Sequence, residues 1–150
     1  MTKKVLIIKL SSLGDVIFNI PLANIFKANH YEVTWLVGEK GYDVIKDNPA
    51  VDHTILAPVG KWKKEKTKLK ESFKEYLEII KTLRSEKFDI AIDSQGLIKS
   101  FIFMIFCGAK RRIVSIFSRE FSLLFSIVNN QYAFLILHHF LLHNPFQLCQ

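Results

Sequence analysis

Four apolar residues in succession, Val5-Leu6-Ile7-Ile8, stand between Lys4 and Lys9, a short unbroken run that predicts a strand buried on both faces of a parallel sheet. The pattern then changes period. Val16, Ile17, Ile20, Leu22, Ala23, Ile25 and Phe26 form a helical stripe, with Pro21 either kinking it or following a new start capped by Asn19. Glu32 to Val37 is rich in β-branched and aromatic residues and reads as a second strand, leaving through Gly38-Glu39. A short helix over Tyr42 to Lys46 ends at Asp47-Asn48-Pro49, and His53-Thr54-Ile55-Leu56 makes a third strand stopped by Pro58 and Gly60.

A polar stretch from Lys61 to Glu86 follows, with Lys61, Lys63, Lys64, Lys66, Lys68, Lys70 and Lys74 at its front. From about Lys68 the spacing of Leu69, Phe73, Leu77, Ile80 and Leu83 predicts an amphipathic helix with a solvated basic face. Phe88 to Asp93 is the next strand and Leu97, Ile98, Phe101, Ile102, Ile105 and Phe106 the next helix; Lys110-Arg111-Arg112 leads into a last strand at Ile113-Val114-Ser115. Strand alternating with helix predicts an α/β fold, a Rossmann-like parallel sheet whose strand exits share one edge. From Phe121 to Gln150 there is no Lys, Arg, Asp or Glu. We therefore divide the chain into a Rossmann-like domain, 1–118, and an apolar tail, 119–150, of the kind a shift of reading frame followed by an early stop would produce. Neither Phe121–Val128 nor Ala133–Leu142 reaches the ~20 apolar residues of a membrane span. His139 and His143 are spaced i, i+4 without a nearby acid, so no metal site is expected.

Candidate chemistry concentrates where the first strand ends, at Lys9-Leu10-Ser11-Ser12-Leu13-Gly14-Asp15-Val16. A small-residue turn opening a helix puts backbone N–H groups and a carboxylate at the edge where open α/β sheets take ligands. Gly14 permits a tight turn or close approach of another molecule, and Asp15 faces the cleft. The plain alternative is that Ser12 and Asp15 only cap a helix. The spacing fits neither a Walker loop nor a three-glycine dinucleotide fingerprint.

The segment Ser11, Ser12, Leu13, Gly14, Asp15, Val16, with Pro21 beyond it, resembles the amino-terminal motif of the ADP-heptose:lipopolysaccharide heptosyltransferases of the heptosyltransferase I type, glycosyltransferase family 9. Lys61-Trp62-Lys63-Lys64 is similar to that family's basic-Trp-basic acceptor loop, and Asp93-Ser94-Gln95-Gly96-Leu97-Ile98-Lys99-Ser100 to its Asp-x-Gln-Gly-Leu-x-Lys-Ser segment. The likeness runs to about Arg112. It implies the amino-terminal, acceptor-binding half of a two-domain glycosyltransferase-B fold, with the donor domain absent from these residues. It further implies transfer of L-glycero-D-manno-heptose from ADP-heptose to a 3-deoxy-manno-octulosonic acid (Kdo) residue of Kdo-lipid A, with inversion. In that reading Asp15 is the catalytic base; Ser12, Gly14, Lys61, Trp62, Lys63, Lys64, Gln95 and Lys99 bind the acceptor. ADP-heptose is the donor substrate, no cofactor or metal is involved, and residues 1–150 alone are expected to be inactive.

The 150 residues suffice for one domain with a proper core. A net charge of +7 favours anionic partners, and no nucleic-acid-binding module is present, so none is expected as a partner. Cys107 and Cys149 have no partners at metal spacing and no secretory context, which predicts a cytoplasmic chain with reduced thiols; the resemblance implies peripheral contact with the cytoplasmic face of the inner membrane, where its lipid acceptor would lie. Two other readings remain: a non-catalytic module binding acidic lipid or lipopolysaccharide, and a related glycosyltransferase with another donor.

Overall fold

A computed structural model describes residues 2–64 and 69–114 of the chain. Five strands, β1 (Lys3–Ile8), β2 (Tyr31–Gly38), β3 (His53–Ala57), β4 (Ile90–Asp93) and β5 (Arg111–Val114), form one sheet in the order β3-β2-β1-β4-β5, every pair parallel. The continuous apolar run of β1 is explained by its place: it is paired on both edges, Val5 facing Val33 on one side and Ile90 on the other. Chain order reverses between β1 and β4, so their carboxyl ends form the crevice at which sheets of this kind bind ligands.

Helices α1 (Leu13–Phe18), α2 (Ile20–Ala28) and α3 (Glu39–Ile45) cover one face; α4 (Val59–Lys64), α5 (Leu69–Ser85) and α6 (Ile98–Phe106) lie on the other. Because successive strand side chains point to opposite faces, Val5 and Ile7 pack with Val33, Trp35, Val16, Ala23 and Ile45. Leu6 and Ile8 pack with Leu36, Leu83, Phe88, Phe103 and Met104. Each fully buried aliphatic side chain contributes about 1.5–3 kcal/mol. Asn19 joins α1 to α2, with Pro21 early in α2 where a missing N–H is tolerated.

Three expectations need correction. On α5 Leu83 is buried and Tyr76, Ile79 and Ile80 are partly buried against the same core, so Ile80 and Leu83 face inward as expected, whereas Phe73 and Leu77 are exposed. On α6 itself Ser100, Phe103 and Met104 are buried and Ile98 and Phe106 exposed. Residues 61–64 are the end of helix α4 rather than a loop. The apolar tail and the pair His139/His143 lie outside the described residues.

Candidate active site at the β1 and β4 exits

Beyond β1 the chain continues through Lys9-Leu10-Ser11 to Ser12, the residue before α1; the Ser11–Ser12 peptide is cis. Asp15 is the third residue of α1, and its Oδ2 accepts the Ser12 backbone N–H at 3.1 Å and lies 3.3 Å from Ser12 Oγ. Asp15 therefore does cap the helix. Yet 55% of its side chain remains exposed, so the cap leaves the carboxylate open to a second molecule at the sheet edge. Gly14 sits inside the first turn of α1 and not in a tight turn. A Cβ built there would meet nothing within 4 Å, so the surrounding space is open.

The β4 exit is built from a buried carboxylate. Asp93 Oδ1 accepts the amides of Gln95 at 2.9 Å and Gly96 at 3.1 Å, while Oδ2 accepts the Ser100 hydroxyl at 2.9 Å. Burial raises the proton affinity of Asp93, against the opposing effect of these donors and of the nearby Lys9 charge. Gly96 takes a positive φ of 67°, which suits glycine and lets the chain turn sharply into α6. Gln95 then reaches back, its Oε1 accepting the amides of Leu10 at 3.1 Å and Ser11 at 3.0 Å. Lys9, almost buried, donates from Nζ to the Ser94 carbonyl at 3.0 Å. The two exits are thus tied together by side chains from each.

On the same edge, Glu39 receives the amides of Gly60 at 3.0 Å and Lys61 at 2.9 Å, satisfying donors in the first turn of α4. Burial opposes the charge of Glu39, but these amides outweigh it and its carboxyl titrates below the usual range. Trp62 donates Nε1–H to Glu75 at 2.9 Å and packs its half-buried ring against Tyr76 and Phe103, with ring centres 5.5 and 6.5 Å away. Lys61 Nζ pairs with the same Glu75, whose carboxyl is held below its usual range by Lys61 and then by Trp62. Burial pushes the Tyr76 phenol well above its usual range, and its hydroxyl donates to the Lys99 carbonyl at 3.1 Å.

Among the residues singled out in the sequence, Ser12, Gly14 and Asp15 lie together at the start of α1, and Gln95 contacts the loop before them directly. Lys63, Lys64 and Lys99 are exposed on α4 and α6, while Trp62 is engaged within the protein. Four residues that the sequence reading gave no role, Lys9, Glu39, Glu75 and Asp93, organise the edge. Lys9 carried one signal, a charge at the end of a fully buried strand. Among the described residues no group of three or more His, Cys, Asp or Glu is placed to hold a metal ion, and Cys107 is buried and free. A cavity of about 650 Å³ lies at the opposite, amino edge, lined by residues including Lys27, His30, Asp52 and His53, away from this chemistry.

No protein-family model matches the chain. Lipopolysaccharide heptosyltransferase 1 of Campylobacter coli is 33% identical over 101 residues, which is 66% of this chain and 27% of that protein. Lipopolysaccharide heptosyltransferase 1 of Escherichia coli K12 is 33% identical over 101 residues, 65% of this chain and 31% of the relative. The chain thus spans about three-tenths of the length of the curated relatives it matches. The structure of E. coli heptosyltransferase WaaC with ADP-2-deoxy-2-fluoro heptose superposes with a TM-score of 0.69 at 27% identity, over 85% of this chain and 41% of that one. A glycosyl transferase family 9 structure from Veillonella parvula shares the fold, with a TM-score of 0.61 at 23% identity over 79% of this chain and 34% of that one.

Proposed function

We propose, from the likeness of this chain to the amino-terminal part of the glycosyltransferase family 9 heptosyltransferases, that it carries the acceptor half of a lipopolysaccharide inner-core heptosyltransferase. The reaction is transfer of L-glycero-D-manno-heptose from ADP-heptose to Kdo of Kdo-lipid A. The observation that carries this reading is Asp15, an oriented and half-exposed carboxylate at the switch point of the sheet, beside the open space over Gly14. As base, Asp15 takes the proton of the acceptor hydroxyl while that oxygen bonds to the anomeric carbon of heptose and ADP departs from the opposite face, inverting the centre. Lys61, Lys63, Lys64 and Lys99 supply cations for acceptor carboxylates and phosphates, and the Trp62 ring, held by Glu75, forms a wall against the sugar. Ser12 and Gln95 hold the loop that presents Asp15.

The 1–118 boundary and a donor site in a further domain belong to the same proposal. Among the described residues no helix is long and apolar enough to cross a membrane; the lipid acceptor implies peripheral contact at the cytoplasmic face of the inner membrane. The test is transfer of labelled heptose from ADP-heptose to Kdo-lipid A, with the chain joined after Val114 to the remainder of the C. coli relative. Asp15→Ala is expected to reduce kcat about 10²–10⁴-fold, the usual worth of a general base. Normal turnover by Asp15→Ala would sink the base assignment.

A second reading, a non-catalytic module for acidic lipid or lipopolysaccharide, is favoured by Phe73, 63% exposed between Lys70 and Lys74 on α5. It predicts lipid binding insensitive to Asp15→Asn and no transfer by the joined protein.

A further inference from the structure

A lysine at the end of a strand ordinarily extends its amine into water. Lys9 does the reverse: only 9% of its side chain is exposed, in a position where a charge is costly unless partnered. Its Nζ donates to the Ser94 carbonyl at 3.0 Å and stands 3.8 Å from Asp15 Oδ2. Helix capping does not require this, since the Ser12 amide already meets that oxygen.

We propose that Lys9 is the positioning residue of this site, an inward-turned ammonium that links the β4 exit to Asp15 and holds that carboxylate ionised when an acceptor covers it. The inference rests on the assignment of Asp15 as base and adds the group that keeps it competent. A bound acceptor excludes water, which by itself drives a carboxylate toward its neutral, inactive form. Lys9 opposes that drift because its own desolvation is already met within the free protein.

Among the described residues of the helices packed against α1, the charged groups are exposed or have partners of their own. On α3, which packs against α1, Glu39 is occupied by the amides of Gly60 and Lys61, Asp43 pairs with Lys46, and Lys40 is exposed. On α2, Lys27 pairs with Asp52. Beneath the β4 exit, Asp93 spends its oxygens on Gln95, Gly96 and Ser100; burial raises its proton affinity, which those donors and the Lys9 charge oppose.

The test is a carbon-detected NMR titration of the Asp15 carboxyl in the 150-residue chain, in wild type, Lys9→Met and Lys9→Arg. A unit charge at this separation moves a titration by roughly one pH unit even when well screened, so Lys9→Met should raise the Asp15 midpoint by about that much and Lys9→Arg should largely preserve it. A folded Lys9→Met with an unmoved midpoint overturns the proposal. Should Lys9→Met fail to fold, the wild type decides: the Lys9 Nζ resonance is expected to report the Asp15 midpoint, and a resonance blind to it overturns the proposal. In the joined, active protein the acid limb of kcat/KM should rise with the NMR midpoint in Lys9→Met. Absence of any heptose transfer would overturn the function reading while leaving the titration result standing; transfer dependent on Asp15 but with an acid limb unmoved in Lys9→Met would overturn only the role of Lys9.

Discussion

Gly14 occupies a helical position where alanine would be better for the fold by about 1 kcal/mol, and nothing in the described protein crowds it. Under the proposed function, its lack of a side chain leaves room for the acceptor to approach the backbone beside Asp15. Gly38 is the opposite case: a Cβ there would lie 2.3 Å from the Leu10 carbonyl, the same oxygen that accepts the Gly38 amide at 3.1 Å. Gly14→Ala should therefore leave the urea midpoint equal or slightly higher while weakening Kdo-lipid A binding at least about tenfold, the worth of one ~1.4 kcal/mol contact. Gly38→Ala should cost about 1–3 kcal/mol of stability through overpacking. Unchanged acceptor affinity in Gly14→Ala would show that its open space is not used. The capping role of Ser12 and Asp15 was legible from residue type alone, but the backbone at Gly14 was not, since a glycine permits a turn and a helix alike. Gln95 illustrates the other limit. Its place beside the loop follows from the parallel sheet, while its acceptance of the Leu10 and Ser11 amides depends on contacts across 85 and 84 residues.

At the scale of elements, the strands were readable because buried parallel strands carry their signal in a few contiguous residues. The helix α4 was not, because what stabilises it lies elsewhere: Glu39 from α3 at its first amides, and Glu75 and Tyr76 from α5 around Trp62. The exposure of Phe73 and Leu77 on α5 has a related cause, since the helix carries two overlapping apolar stripes and its packing on the sheet and α6 selects the one with Tyr76 and Leu83. If Glu39 fixes α4, then Glu39→Ala leaves two helix-start donors without a protein partner and should lower stability by about 1 kcal/mol. With Trp35→Phe removing the other indole, Trp62 emission should shift to the red in Glu39→Ala as the ring loosens from Tyr76 and Phe103. An unchanged spectrum would place the anchor of α4 in Glu75 alone.

For the molecule as a whole, the sheet is tied at its edges by carboxylates whose ionised form the fold favours. Asp52 is disfavoured by burial, but Lys27 and the Val33 amide outweigh this and hold its carboxyl low. Asp89 is held low first by Lys110 and then by the Lys4 amide, which joins the start of β1 to the approaches of β4 and β5. Glu39 and Glu75 are lowered as well. A carboxyl whose folded pKa lies below its unfolded value contributes stability that is complete above the unfolded value, near pH 4, and is lost as pH falls through the folded one. Asp93 has the opposite sign. Its burial raises the folded pKa, so protonation favours the folded form as pH falls through that raised value toward the unfolded one. Among the described carboxyls with a shift, four lowered groups against one raised group predict urea midpoints that hold near neutrality and fall steeply below about pH 4. Asp52→Asn and Asp89→Asn should flatten that acid slope, whereas Asp93→Asn should steepen the decline by removing the one opposing titration. Stability independent of pH between 6 and 3 would contradict this balance, and with it the view that the edges of the sheet, rather than its apolar centre, set the acid limit of the fold.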